Sequence, residues 1–196
     1  LTEVLKSIEN DTYFTSHGAV QMDIGATVLP HFVKDNTDRN RTSPFAFTGN
    51  KFEFRMLGSA ASVANPNIVL NTAVAEALDQ FAKELDGVAP EDMEHAVHEL
   101  IKRAIKKHKR VIFNGNGYTD EWIEEAEKRG LYNLKSTPDA LPMWIAQKNI
   151  DLFTKHSIFT SEELHSRYEI WLENYSKTIN IESNTMVEMV QKDLLP

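Results

Sequence analysis

The chain has 196 residues, a formal charge of −8 and no cysteine. The missing thiols exclude a disulfide framework, thiolate metal sites and a cysteine nucleophile; the acidic balance speaks against a nucleic-acid surface; and no apolar run reaches the roughly 20 residues a membrane span needs. With 41% hydrophobic and 26% charged residues, the composition is that of a globular protein, and a cytoplasmic, membrane-free setting is expected.

In chain order, Leu1, Val4, Leu5 and Ile8 share one helical face, and Asn10-Asp11 ends that helix. Residues 19–33 are short β-prone pieces punctuated by Gly25 and Pro30, and 34–49 read as a long polar loop. Loops of that length are uncommon within a compact domain and are often functional. A strand is expected over Lys51–Met56, followed by a helix from Pro66 with Asn65 as N-cap, stopping at Asp86-Gly87. A second helix is expected over 90–109, with acids at its front and bases at its back as the macrodipole favours. An extended piece at 111–118 and a helix over 120–129 closed by Gly130 follow. Helices over 138–156, 161–179 and 182–195 complete the pattern, with Thr160 or Ser161 and Glu163 forming a capping start. The fold expected is α+β but mostly α: a few strands within residues 1–65, then an antiparallel helical bundle. Because the chain opens at Leu1 and stops at Pro196 straight after an apolar helical pattern, it reads as a piece of a longer polypeptide.

The densest chemistry lies in Lys51-Phe52-Glu53-Phe54-Arg55-Met56. A strand alternates faces, so Lys51, Glu53 and Arg55 share one side at about 7 Å steps, and Phe52, Phe54 and Met56 point to a core on the other. A carboxylate between two cations stays ionised. That face suits a divalent cation at Glu53 and an anion at Arg55 and Lys51, but the pattern alone more often means a solvated amphipathic strand whose ion pairs contribute little. Arg39 and Arg41 in the preceding loop suit phosphate or carboxylate through guanidinium forks, or are scattered surface arginines. Asn114-Gly115-Asn116-Gly117 lacks the lysine and hydroxyl of a phosphate loop and reads as a tight turn. His95 and His98 match no metalloprotease spacing and read as a helix-surface pair. The basic run Lys102–Arg110 reads as a helix C-terminus with a solvated face, and Trp122, Trp144 and Trp171 as packing residues.

On these residues the segment Asp38–Asp79 resembles the end of the catalytic domain of glutamine synthetases, most of all the long type III enzymes of bacteria. Asn40-Arg41-Thr42, then Glu53-Phe54-Arg55, then Asn65-Pro66 follow the family's order. Residues 90–196, including FNGNGYTDEW and RYEIWLENY, look like the helical extension of type III. The resemblance implies a division into 1–88, the end of the catalytic domain, and 89–196, the helical C-terminal domain. It implies that Glu53 ligates one of the active-site Mg²⁺ or Mn²⁺ ions, that Arg55 binds the carboxylate of substrate glutamate, and that Arg41 steadies the transferred phosphoryl group. Lys51 stands where other members carry an arginine near the nucleotide phosphates. Ala46 stands where types I and II carry a further arginine, so that anion contact is missing or comes from Arg39. The implied reaction is ATP-dependent amidation of glutamate by ammonia through a γ-glutamyl phosphate, in a homo-oligomer of stacked rings. Since one glutamate cannot hold several divalent ions, this polypeptide alone is expected to be inactive and to bind ATP weakly or not at all. A second reading stays open: a non-catalytic helical module for oligomerisation or regulator docking.

Overall fold

A computed structural model describes residues 2–14, 21–22, 32–33, 45–47, 51–56, 58 and 61–195. Helices dominate: α1 Thr2–Glu9, α2 Ala64–Leu85, α3 Met93–His108, α4 Asp120–Lys128, α5 Thr137–Ala140, α6 Gln147–Lys155 and α7 Ser161–Met189. Two antiparallel ribbons accompany them, β1 Gln21–Met22 with β2 Phe32–Val33, and β3 Phe45–Phe47 with β4 Phe52–Phe54. The mostly helical α+β class expected from the sequence is the class found. Among the described residues no helix is long and apolar enough to cross a membrane. The chain divides into two compact units, Leu1–Pro66 with Phe81–Leu131, and Asn67–Gln80 with Tyr132–Pro196.

In the first unit α1 packs on α3. Asp11, in the left-handed region at φ 52°, turns the chain out of α1 and accepts from Lys102 and from His98 Nε2, the latter at 3.2 Å. The Lys102 ammonium, and after it the His98 ring, hold the Asp11 carboxyl below its ordinary range. Glu9 pairs with Lys109 at 2.7 Å, so the C-terminal end of α1 is tied to α3 and the turn after it by charge. α3 begins at Met93 rather than Pro90, because the Asp92 N–H bonds back to Ala89 O at 3.0 Å and closes a turn around the proline. The piece expected as a strand or extended segment at 111–118 forms no strand, though Ile112 is extended at φ −80° and ψ 119°. Lys109–Val111 make a 3₁₀ turn, and the carbonyls of Ile112 and Arg110 accept from the Arg129 guanidinium at 2.9 and 3.3 Å instead of from a strand. Gly130, at φ 69°, ends α4 as expected.

The second unit is built on an aromatic cluster. Trp144 meets Phe153 at 5.2 Å and Trp171 at 4.8 Å between ring centroids, and Phe153 meets Phe159 at 5.6 Å. Phe153 and Leu164 are buried at its centre. The single helix expected over 138–156 is broken in two. Pro142 has no N–H to give, and the Trp144 and Ala146 amides bond three residues back, to Leu141 and Met143, in 3₁₀ fashion. The break lets Trp144 turn into the cluster. α7 opens on a capping box: Thr160 Oγ1 accepts from Glu163 N–H at 3.2 Å, while Glu163 Oε2 accepts from Thr160 N–H at 2.8 Å. The two helices expected at 161–179 and 182–195 are one helix, continued by a π turn over Val190–Leu194. Asn180-Ile181 contains neither glycine nor proline, so nothing interrupts the ladder. Every residue from Ser176 to Met189 is exposed. Glu76 on α2 joins α6 by accepting from Lys155 at 2.6 Å and His156 at 2.7 Å.

Candidate functional site

The expected site strand is β4, and its partner is β3 of the same chain: Phe45 faces Phe54, Ala46 faces Glu53 and Phe47 faces Phe52. β3 lies inside the stretch 34–49 expected as a loop, which is corrected there. Cross-strand ring pairs at 5.3 Å (Phe45–Phe54) and 5.2 Å (Phe47–Phe52) set the register. The sequence signal was present in Phe-Ala-Phe and Phe-Glu-Phe mirrored about Gly49-Asn50. Phe52, Phe54 and Met56 were expected in a core, yet they are 62%, 38% and 56% exposed, whereas Ala46, opposite Glu53, is fully buried. In place of a core beneath β4, the ribbon carries its own apolar cover of paired rings.

On the other side the predicted triad assembles. The Arg55 guanidinium donates to Glu53 Oε2 from both Nη2, at 3.0 Å, and Nε, at 3.3 Å. Lys51 Nζ lies 3.9 Å from Glu53 Oε1. Side-chain exposure falls along the row, from 67% at Lys51 through 40% at Glu53 to 20% at Arg55. The carboxylate thus orients a sheltered guanidinium on one side and faces the Lys51 ammonium on the other. An ionised carboxylate oxygen is a hard donor of the kind Mg²⁺ and Mn²⁺ prefer, so Glu53 fits as one ligand of such an ion, with the other oxygens supplied from beyond the ribbon. Arg39 and Arg41 lie outside the described residues.

The remaining sequence candidates resolve as follows. His98 Nε2 meets Asp11 Oδ1 at 3.2 Å. Asp11, His98 and Glu99 bring one ligand atom each within 4.8 Å of one another, but Lys102 pairs with Asp11 and reaches Glu99 at 3.7 Å, so an ammonium already sits where a cation would. Gly115 belongs to a tight approach, not a phosphate cradle: a Cβ there would lie 2.9 Å from the Phe113 ring, which stacks on Trp122 at 3.9 Å.

Comparison with known proteins agrees with the resemblance. The family model described as glutamine synthetase C-terminal domain matches residues 96–196. Over 199 residues the chain is 52% identical to a glutamine synthetase of Butyrivibrio fibrisolvens, covering 99% of this chain and 27% of that protein. It is 47% identical over 197 residues to the type-3 glutamine synthetase of Dictyostelium discoideum, covering all of this chain and 27% of that protein. A glutamine synthetase of Bacteroides fragilis is 34% identical over 198 residues, again with 27% of its length covered. The chain therefore spans about a quarter of the curated relatives it matches. From the family match over its second half, and from these relatives along the whole of it, the chain belongs to the glutamine synthetase family.

Proposed function

We propose that this chain forms the closing part of a glutamine synthetase active site, within residues 1–88, followed by a helical C-terminal domain over 89–196. The reaction is ATP-dependent ligation of ammonia to L-glutamate. A γ-carboxylate oxygen of glutamate attacks the γ-phosphorus of ATP and displaces ADP. The nitrogen of ammonia then attacks the carbonyl carbon of the γ-glutamyl phosphate, phosphate leaves with the bonding pair, and the nitrogen sheds a proton. In this reading Arg55 holds a substrate carboxylate, Glu53 contributes one oxygen to a Mg²⁺ or Mn²⁺ ion, Lys51 and Arg39 face nucleotide phosphates, and Arg41 steadies the phosphoryl group in flight. The bound divalent ion supplies charge neutralisation at the phosphate oxygens. Arginine keeps its proton throughout, so these contacts do not compete with the proton transfers.

The observation that carries the reading is the ribbon itself: a strand, in a chain related along its whole length to glutamine synthetases, that holds the Arg55 guanidinium on Glu53 Oε2 through Nε and Nη2. Its test is Arg55→Lys in the intact enzyme. A lysine keeps the charge but loses the planar fork. The KM for glutamate should rise at least tenfold while the half-saturating Mg²⁺ concentration stays put; an unchanged KM refutes the assignment. The purified 196-residue chain should form no glutamine.

The exposed run Ser176–Met189 of α7 favours a second role alongside the first, residues 89–196 as a module for homo-oligomer assembly or regulator docking. Deleting 89–196 should then change the sedimentation of the intact enzyme more than its turnover per assembled site.

A further inference from the structure

Between α1, the end of α3 and the segment leading to α4, the first unit borders an open cleft of about 760 Å³. That volume lies within the range of roughly 300–1,000 Å³ found for small-molecule sites. Its chemistry is at odds with the chain's charge of −8. Six cations line it, Lys6, Lys106, Lys107, Lys109, Arg110 and Arg129, against the single acid Glu9. Two of these cations serve the walls. Lys109 is spent on Glu9. Arg129 binds Glu125 at 2.6 Å and the carbonyls of Ile112 and Arg110, and its guanidinium lies 5.4 Å from the Trp122 ring. Lys6, Lys106, Lys107 and Arg110 form no ion pair among the described residues.

The macrodipole of α3 explains basic residues in its last turn. Lys6 likewise sits in the last turn of α1 and Arg110 in the 3₁₀ turn that follows α3, but no helix dipole requires these ends to converge over one cavity. Like charges gathered over one cavity repel, and that cost persists unless something anionic offsets it. The floor is of another kind: Leu5, Ile105, Ile112 and Phe113 are half-buried and apolar. Phe113 is held rigid by the Trp122 stack and by Gly115, whose missing Cβ lets the backbone close on the ring. A cation rim over an apolar, aromatic floor matches a ligand with several negative charges on an apolar body. We propose that this cleft is a binding site for an organic polyanion of nucleotide size, separate in residues from the Lys51–Glu53–Arg55 row.

The test uses the intact enzyme, with GDP as probe and pyrophosphate as the charge-matched control lacking an aromatic body, followed by calorimetry at roughly 50 and 200 mM salt. GDP should bind, weaken as salt rises, and bind at least tenfold more tightly than pyrophosphate. Lys106→Ala combined with Arg110→Ala should weaken GDP at least tenfold while glutamine formation without GDP stays unchanged. Lys6→Glu, a single exposed change on α1, guards against a misfolded double variant and should weaken GDP likewise. Arg55→Ala should impair glutamine formation and leave GDP binding intact, so the two assignments stand or fall separately. No GDP binding up to millimolar, equal binding by wild type and the cleft variants, equal binding of pyrophosphate, or loss of GDP in Arg55→Ala would each overturn the site.

Discussion

The β3–β4 ribbon and the Trp144–Phe153 cluster are both rich in aromatic rings, and they use them in opposite ways. In the cluster the rings are inside: Phe153 is 2% exposed and Leu164 is fully buried between α6 and α7. In the ribbon three of the four phenylalanines are more than a third exposed, and what is sheltered is a charged group, Arg55. The helical unit carries its own core and so its own stability; the ribbon spends its local order on aiming an acid and a guanidinium. Two-stranded ribbons are marginal alone, so this one depends on its surroundings for stability.

Substitutions can break this contrast from either side. The largest effect is expected from Phe153→Ala, which empties the centre of the cluster and should cost about 3–5 kcal/mol, measured by denaturant unfolding followed through Trp171 fluorescence. The counterpart is Glu53→Ala in the intact enzyme. Removing one preorganised charged contact should lower turnover roughly 10²–10³-fold with the melting temperature unchanged; a large drop in melting temperature would make Glu53 a structural residue. Gly115→Ala should be intermediate, about 1–3 kcal/mol, because the added methyl meets a ring that the Trp122 stack prevents from moving.

The smallest effect concerns pH. Glu76 is held at about 2 by the Lys155 ammonium first, then by Gln80 and His156. A depressed carboxyl stabilises the fold above its unfolded pKa, near 4.5, and this contribution is lost as pH falls from there towards 2. Lys155 has the opposite sense. Raised by Glu76 and then Asp79, it contributes below about 10.5 and loses that contribution as pH climbs past its folded value. Glu76→Gln should flatten the acid limb of stability against pH and converge with wild type near pH 2, as read from thermal melts in a buffer series.

How far these features were legible follows from which of them are local. The helix stops at Gly87 and Gly130 and the Thr160–Glu163 box depend on a few adjacent residues and were read directly. So was the shared face of Lys51, Glu53 and Arg55, since strand alternation needs no partner. What escaped were relations between segments. Nothing in 34–49 alone marks Phe45–Phe47 as the mate of β4. Ile112 looks like a strand until Arg129 claims its carbonyl. The single α7 hides because Asn180-Ile181 resembles a pause without containing a breaker. The roles of the row, as distinct from its geometry, came from family resemblance. The basic run Lys102–Arg110 was visible, but its cleft required α1 to be folded against it.

Trp122 lies in one compact unit, stacked on Phe113, while Trp144 and Trp171 lie in the other, edge to face with each other. The chain thus carries a separate optical label for each half. Replacing Trp122 with Phe leaves emission from the second half alone, and replacing Trp144 and Trp171 leaves the first, so their meltings can be recorded independently without any attached dye.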